Sequence, residues 1–465
     1  MHGGAQARRS DTRAWRFVGA IGVSACLVLA GCGDDDDASS GATTTRAETG
    51  ATTTAPSGSA STTSPGGSAT SVSFDPAENE ASAPGVTEDT IKIGLVSSLT
   101  GVASSTFKDT VKAAEARIAL ENEKGGVYGR QIELVAKDDQ SSPQAILASV
   151  QSLVENDQVF AVVSASSFMF GGYRYLTDQG VPVTGSAFDG PEWGDPAVRN
   201  MFSYSPTTYT NFGSGFQNYT TLANLLKEAG VTKLASLAYG NSPSSSNSAE
   251  ALLTAAEKVG IEECYDNRSV PFGGVDFTAA VLDIERAGCD GVVGSFVSAS
   301  NVALASALRN AGLDDIKQYY YTAYDQAVLE NSQAREALQG VYATRVVAPT
   351  EAGETMVTAI GEADPAFAGK IPNFGQVTAY IGTDLMIRGL WEAGQNPTRE
   401  SFIENLHKVT DYDGDGLLVS PMRFDLVGEI PMENCAYYTQ LQGDEYVPFP
   451  SDGEPVCGER IDVPA

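Results

Sequence analysis

Histidine is nearly missing from this chain, with two in 465 residues: His2 beside the N-terminus and His407. A serine or cysteine triad that relies on imidazole would have only His407 to draw on. The patterns G-x-S-x-G, G-x-x-x-x-G-K-[ST] and a strand-linked G-x-G-x-x-G do not occur, so the usual signatures of hydrolase, nucleotide and dinucleotide chemistry are absent. Basic residues are also scarce, with 29 Lys and Arg against 59 Asp and Glu, a formal charge of −30. A surface this acidic repels phosphate and has no basic stripe to offset it, which argues against a nucleic-acid partner. The thiols are too widely spaced for zinc. No enzyme activity, metal or cofactor is expected.

Long apolar runs are lacking too. The one candidate, Phe17 to Leu29, is too short to span a bilayer as a mature helix and follows a basic stretch, so residues 1–31 read as a secretion signal. It ends Leu29, Ala30, Gly31, Cys32, which resembles the bacterial lipobox, whose cysteine becomes the lipid-modified first residue of the mature protein. Removing the leader (Arg8, Arg9, Arg13 and Arg16 against Asp11) leaves about −33 on the remainder. Residues 32–86 are Ser, Thr, Gly, Ala, Pro and acidic residues with almost nothing large and apolar. Such a stretch cannot bury a core and reads as a flexible tether, reaching on the order of 40 Å as a random coil.

Four cysteines lie beyond Cys26 and Cys32: Cys264, Cys289, Cys435 and Cys457. An even number in a secreted chain suggests two disulfides. Of the three connectivities, neighbour pairing, Cys264–Cys289 with Cys435–Cys457, is the expected one, and buried free thiols are the alternative. Asp411, Asp413, Asp415 and Gly416 open like a calcium loop, but the twelfth position is Met422 rather than a bidentate glutamate, which argues against a metal site.

Past the tether, short apolar β-branched runs alternate with helix-period segments. Strands are expected around Ile91–Val96, Gln131–Ala136, Val159–Ser164 and Val181–Thr184, with helices over Asp109–Asn122, Pro143–Glu155 and Gly171–Gln179 between them. The rhythm restarts with helix Gly213–Ala229, strand Leu234–Tyr239, helix Ser246–Val259, strand Glu263–Val270, helix Phe277–Ala287, strand Gly291–Ser295, helix Asn301–Ala311 and strand Gln318–Tyr321. Alternation of this kind implies α/β structure with parallel sheets, here in two sets. In open parallel sheets, ligands bind beyond the carboxyl ends of the strands.

The run TIKIGLVSSLTG, and after the next helix ENEKGGVYGRQIELVAKDDQSSPQAILASVQSLV, resembles the leucine/isoleucine/valine-type receptors of ABC importers. The resemblance covers Thr90 to Asp425. It implies a type I periplasmic binding fold, two Rossmann-like lobes with parallel-sheet cores joined by three crossovers. The lobes would be 87–206 with 345–425, and 207–344 with 426–465. It implies a monomer outside the cytoplasmic membrane that carries a small polar or amino-acid-like solute to permease and ATPase subunits. Carried over residue by residue, ligand contacts fall on Ser98, Thr100, Ser166, Ser167, Ser186, Ala187, Phe188 and Asp189 in the first lobe. In the second they fall on Tyr239, Asn241, Phe296, Tyr324 and Asp325. Where such receptors place a glutamate against the ligand ammonium this chain reads Thr322, Ala323, Tyr324, Asp325, so the counter-charge is either absent or supplied by Asp325. A sensor without transport, an envelope hydrolase using His407 and a structural lipoprotein are the alternatives.

Overall fold

The computed structural model describes residues 60–63, 71–187, 190–205, 215–426 and 430–464. Thr90–Ser97 is buried along nearly its whole length, as a strand covered by helices on both faces must be. It pairs in parallel with Gln131–Asp138 and Val162–Ala165, and the sheet continues through Val183–Gly185 to Met201–Ser203. The turn between the first helix and the second strand, Gly125-Gly126-Val127-Tyr128-Gly129, closes on itself through a Val127 to Arg130 bridge. Gly126 has φ +71°, and a Cβ there would lie 1.9 Å from the Arg130 carbonyl oxygen, so only glycine fits.

A second sheet runs Glu262–Val270, Lys233–Tyr239, Gly291–Ser295, Lys317–Tyr319, Tyr342–Thr344, all parallel, and is extended by the antiparallel pair Tyr438–Gln442 and Glu445–Phe449. A third, antiparallel sheet joins Glu433–Ala436, Val456–Val463 and Phe216–Tyr219. The architecture is thus α/β with two parallel-sheet cores.

Most expected strands and helices lie within a few residues of where periodicity puts them, but the helix expected over Gly213–Ala229 is divided. Phe216–Tyr219 is a strand and only Thr221–Glu228 is helical. The reason is long-range: Phe216 and Tyr219 pair with Val463 and Arg460, and tertiary pairing overrides local propensity. The segment assigned by composition to the end of the tether is also packed. Phe74 is buried against Tyr128, ring to ring at 5.6 Å, and Asn79 donates to the carbonyls of Glu88 and Tyr128. Both expected disulfides are present: Cys264–Cys289, and Cys435–Cys457 across neighbouring antiparallel strands. The leader and Cys32 lie outside the described residues, among which no helix is long and apolar enough to cross a membrane.

Helix Phe374–Ala393 is mostly apolar and buried at every position except Glu392, with Asp384 and Arg388 among its buried residues. It lies against the strands Val162–Ala165 and Val183–Gly185 and against helix Thr110–Glu123. Between these two helices is a buried ionic network. Arg117 Nε donates to Asp384 at 2.7 Å and its NH1 group to Glu121 at 3.1 Å. Tyr412 donates to the other Asp384 oxygen at 2.9 Å, and the Trp391 indole donates to Glu121 at 2.8 Å. Burial opposes the Arg117 charge, but Asp384 and Glu121 outweigh it and hold its pKa above the ordinary guanidinium value. Removing one partner of such a set strands the others in a dry interior. Arg117→Ala is expected to lower unfolding free energy by about 3–5 kcal/mol in urea titration, and a loss under ~1 kcal/mol would place the network in a far wetter environment than its burial indicates.

Candidate functional site

Both parallel sheets point their carboxyl ends at one cavity of about 380 Å³. On the first-lobe side, the loops after successive strands contribute Thr106 and Phe107, then Ser167, then Ser186 and Ala187, then Ser205. On the second-lobe side, Tyr239 and Phe296 stand at the ends of Lys233–Tyr239 and Gly291–Ser295, with Phe272 and Tyr321 beside them and Phe374 of the first lobe completing an aromatic wall. The helix Pro243–Val259 starts at the cavity, bringing Ser242, Ser244, Ser245 and Ser248 to it. None of the described lining residues carries a formal charge.

Several hydroxyls in the wall are already oriented. Ser186 and Ser205 share a hydrogen bond of 2.8 Å, and the Ala187 N–H donates to Ser203 at 2.8 Å. The Tyr239 ring lies 4.6 Å from both Phe272 and Phe296, while its hydroxyl turns away to donate to Ser300 at 2.7 Å. Tyr239 therefore offers the cavity a ring face rather than a hydroxyl.

The lobes meet directly beside the cavity. Helix Ser298–Asn310 has no side-chain cap of its own at Val297. Thr106 of the opposite lobe supplies one, since the Ser298 N–H donates to Thr106 Oγ1 at 3.2 Å. Phe168 and Phe272 stack across the same seam at 5.1 Å, and Tyr321 meets Phe374 edge-on at 5.0 Å. Gly273, with φ +73°, sits so close to Val102 that a Cβ would approach its side chain to 3.0 Å.

Of the residues singled out from sequence, Ser167, Ser186, Ala187, Tyr239 and Phe296 line this cavity. Ser98, Thr100, Ser166, Asn241, Tyr324 and Asp325 do not, and Phe188 and Asp189 lie outside the described residues. Ser98 and Ser166 both donate to a carboxylate of the protein itself, the fully buried Asp139, and the Ser166 hydroxyl in turn accepts from the Phe168 N–H. Burial pushes the Asp139 carboxyl above its ordinary range, against the pull of those hydroxyls. Thr100 donates to Asp138 at 2.6 Å. Asn241 is exposed beyond the end of its strand. Tyr324 stacks on Tyr446 at 4.9 Å, and Asp325 caps helix Gln326–Glu330 by accepting from the Ala327 N–H at 2.8 Å. Sequence reasoning passed over Phe272, Tyr321, Phe374 and the serines from Ser242 to Ser248. The serine-rich start of a helix directly after a strand was the available signal for the last group.

Two motifs set aside in sequence have other employment. Asp411 pairs with Arg388 at 3.2 Å, and no cluster of described acidic groups gathers around the calcium-like segment. Both ring nitrogens of His407 lie 2.9 Å from backbone carbonyl oxygens, of Phe424 and Arg199, and its ring stacks on Phe202.

A family model described as periplasmic binding protein matches residues 90–445, and the chain belongs to that family of extracytoplasmic solute-binding proteins. No curated protein matches it. Among solved structures, a fatty acid ABC transporter substrate-binding protein from Thermomonospora curvata shares 21% identity, with 84% of this chain and 95% of that one covered at a TM-score of 0.64. A solute-binding protein from R. palustris in complex with benzoate shares 14% identity over 80% and 97% of the two chains, with a TM-score of 0.64. The branched-chain amino acid binding protein LivJ from Streptococcus pneumoniae, in complex with isoleucine, shares 19% identity over 80% and 100%, with a TM-score of 0.59. At these identities the likeness is one of fold.

The two serines of the Ser166-Ser167 pair separate by role. Ser166→Ala should lower stability by roughly 1–3 kcal/mol in urea titration, because buried Asp139 loses a donor, whereas Ser167→Ala should leave stability within about 0.5 kcal/mol of the parent. Asp325 gives a pH signature. Burial raises its carboxyl from 3.8 to about 6, with the Ala327 N–H pulling it down and Asp109 adding to the rise. The folded state therefore keeps this proton where the unfolded chain has lost it, so stability falls as pH climbs through that interval. Asp325→Asn preserves the acceptor for Ala327 and should gain on the order of 2–3 kcal/mol at pH 7 over the parent, with the gain shrinking toward pH 4 in paired denaturation series.

Proposed function

We propose that this chain is the solute receptor of an ABC importer, held to the outer face of the cytoplasmic membrane by lipid on Cys32, and that it takes one small molecule between its lobes. The lobes are 87–206 with 345–425, and 207–344 with 426–465, turning about the three connections between them. The single observation that carries this reading is the cavity at the facing carboxyl ends of two parallel sheets, bordered by loops from both. Ser167, Ser186 and the ring faces of Tyr239 and Phe296 are the proposed contacts. Several structural relatives are substrate-binding proteins of ABC transporters, which supports permease and ATPase partners.

Binding in such a cleft requires no bond to be made or broken. The seam contacts of Thr106, Phe168 and Tyr321 form only when the lobes approach, so a guest that bridges them stabilises the closed arrangement by mass action. A thermal-shift screen over amino acids, carboxylates, amides and alcohols should yield a solute that, at 100 times its Kd, stabilises the fold by about 2.7 kcal/mol. Small-angle scattering with that solute should show a smaller radius of gyration than without it. Silence across the screen, with scattering unmoved, would remove the receptor reading.

A further inference from the structure

The walls of the cavity restrict the charge of what enters it, and this inference rests on the receptor reading above. Among the described residues no Asp, Glu, Lys, Arg or His lines it. Three carboxylates at or just beyond strand ends are committed elsewhere, and Glu250, beside lining Ala251, pairs with Arg268 at 2.9 Å. Asp138 accepts from the N–H groups of Leu99 and Thr100 and from the Thr100 hydroxyl. Asp139 is fully buried under Ser98 and Ser166, and Asp325 caps its own helix. A ligand ammonium in the cavity would shed water without meeting a counter-charge among the described residues, which is among the costliest events in a protein interior.

Two helices add a sign to this neutrality. Pro243–Val259, 17 residues long, begins with Ser242, Ser244 and Ser245 in the wall, and Ser298–Asn310, 13 residues long, begins directly after lining residue Val297. Helix starts present the positive end of the backbone dipole, so they disfavour a cation and tolerate an anion. The rings of Phe107, Tyr239, Phe272, Phe296, Tyr321 and Phe374 supply apolar area for a hydrocarbon body. Asp138, at the end of its strand, shows how a carboxylate of this protein is held by a hydroxyl and backbone N–H groups.

We infer that the cavity selects a solute without a cationic group: an aromatic or branched aliphatic molecule whose polar end is a single carboxylate or an uncharged hydroxyl or amide. Free amino acids are then poor guests because of their ammonium, however well their side chains fit.

Calorimetric titration of the intact protein with matched probes tests this. The probes are 3-phenylpropionate, 3-phenylpropan-1-ol, L-phenylalanine and phenethylamine, then 4-methylpentanoate against L-leucine, alongside the broad screen described above. The expected result is that the tightest-binding solutes lack an ammonium, and that the ammonium-free member of the best matched pair binds at least about 100-fold more tightly than its amine-bearing counterpart. Equal or tighter binding of L-phenylalanine, L-leucine or phenethylamine overturns the charge inference while leaving the receptor reading intact. Silence from every probe and from the whole screen overturns both.

Discussion

Arg117 is where the two-lobed plan is fastened. Its guanidinium joins Glu121 on its own helix to Asp384 on a helix that arrives only after the chain has built most of the second lobe. Helix Phe374–Ala393 is buried at all positions but one, and the place that encloses it is the flank of the first sheet. Apolar burial alone would let such a largely apolar rod rotate or slide. The directional bonds from Arg117, Tyr412 and Trp391 fix its rotation and height. The first sheet is thus completed by a segment that lies far along the chain, beyond the strands of the second sheet.

The cleft has its own logic of closure. A helix start without a cap leaves N–H groups looking for acceptors. In the second lobe, helix Ser298–Asn310 leaves its first turn to be capped by Thr106 from across the seam. Separation of the lobes exchanges that acceptor for water, at a cost of the order of one cap, ~1 kcal/mol. The same seam also carries the Phe168–Phe272 and Tyr321–Phe374 ring contacts.

Much of the plan was legible because parallel strands declare themselves as short β-branched runs bounded by turns, and Thr90–Ser97, Lys233–Tyr239 and Gly291–Ser295 do so. Helix Phe374–Ala393 was not parsed, since a segment buried on nearly every side has no amphipathic period to detect. Strand Phe216–Tyr219 was misread as helix because its partner, Val456–Val463, lies at the other end of the chain. The site was partly legible for a similar reason. Position after a strand identified Ser167, Ser186, Tyr239 and Phe296, but position cannot say which way a hydroxyl turns. Ser98 and Ser166 face inward because Asp139 is there to receive them, a pairing visible only in three dimensions. Tyr324 and Asp325 were drawn off by Tyr446, on a hairpin whose arrival beside them no local pattern announced.

The Arg130 guanidinium, buried behind the glycine turn, donates to the carbonyls of Thr87, Glu80 and Gln395 and to the Asn396 side chain, while Gln395 holds the Asp75 carbonyl and Asn79. These bonds rivet the stretch from Asp75 to Thr87 along the back of the first lobe, away from the cleft. The stretch ahead of the first strand is therefore part of the body of the first lobe, held to its Gln395-Asn396 turn, rather than a loose lead-in to it.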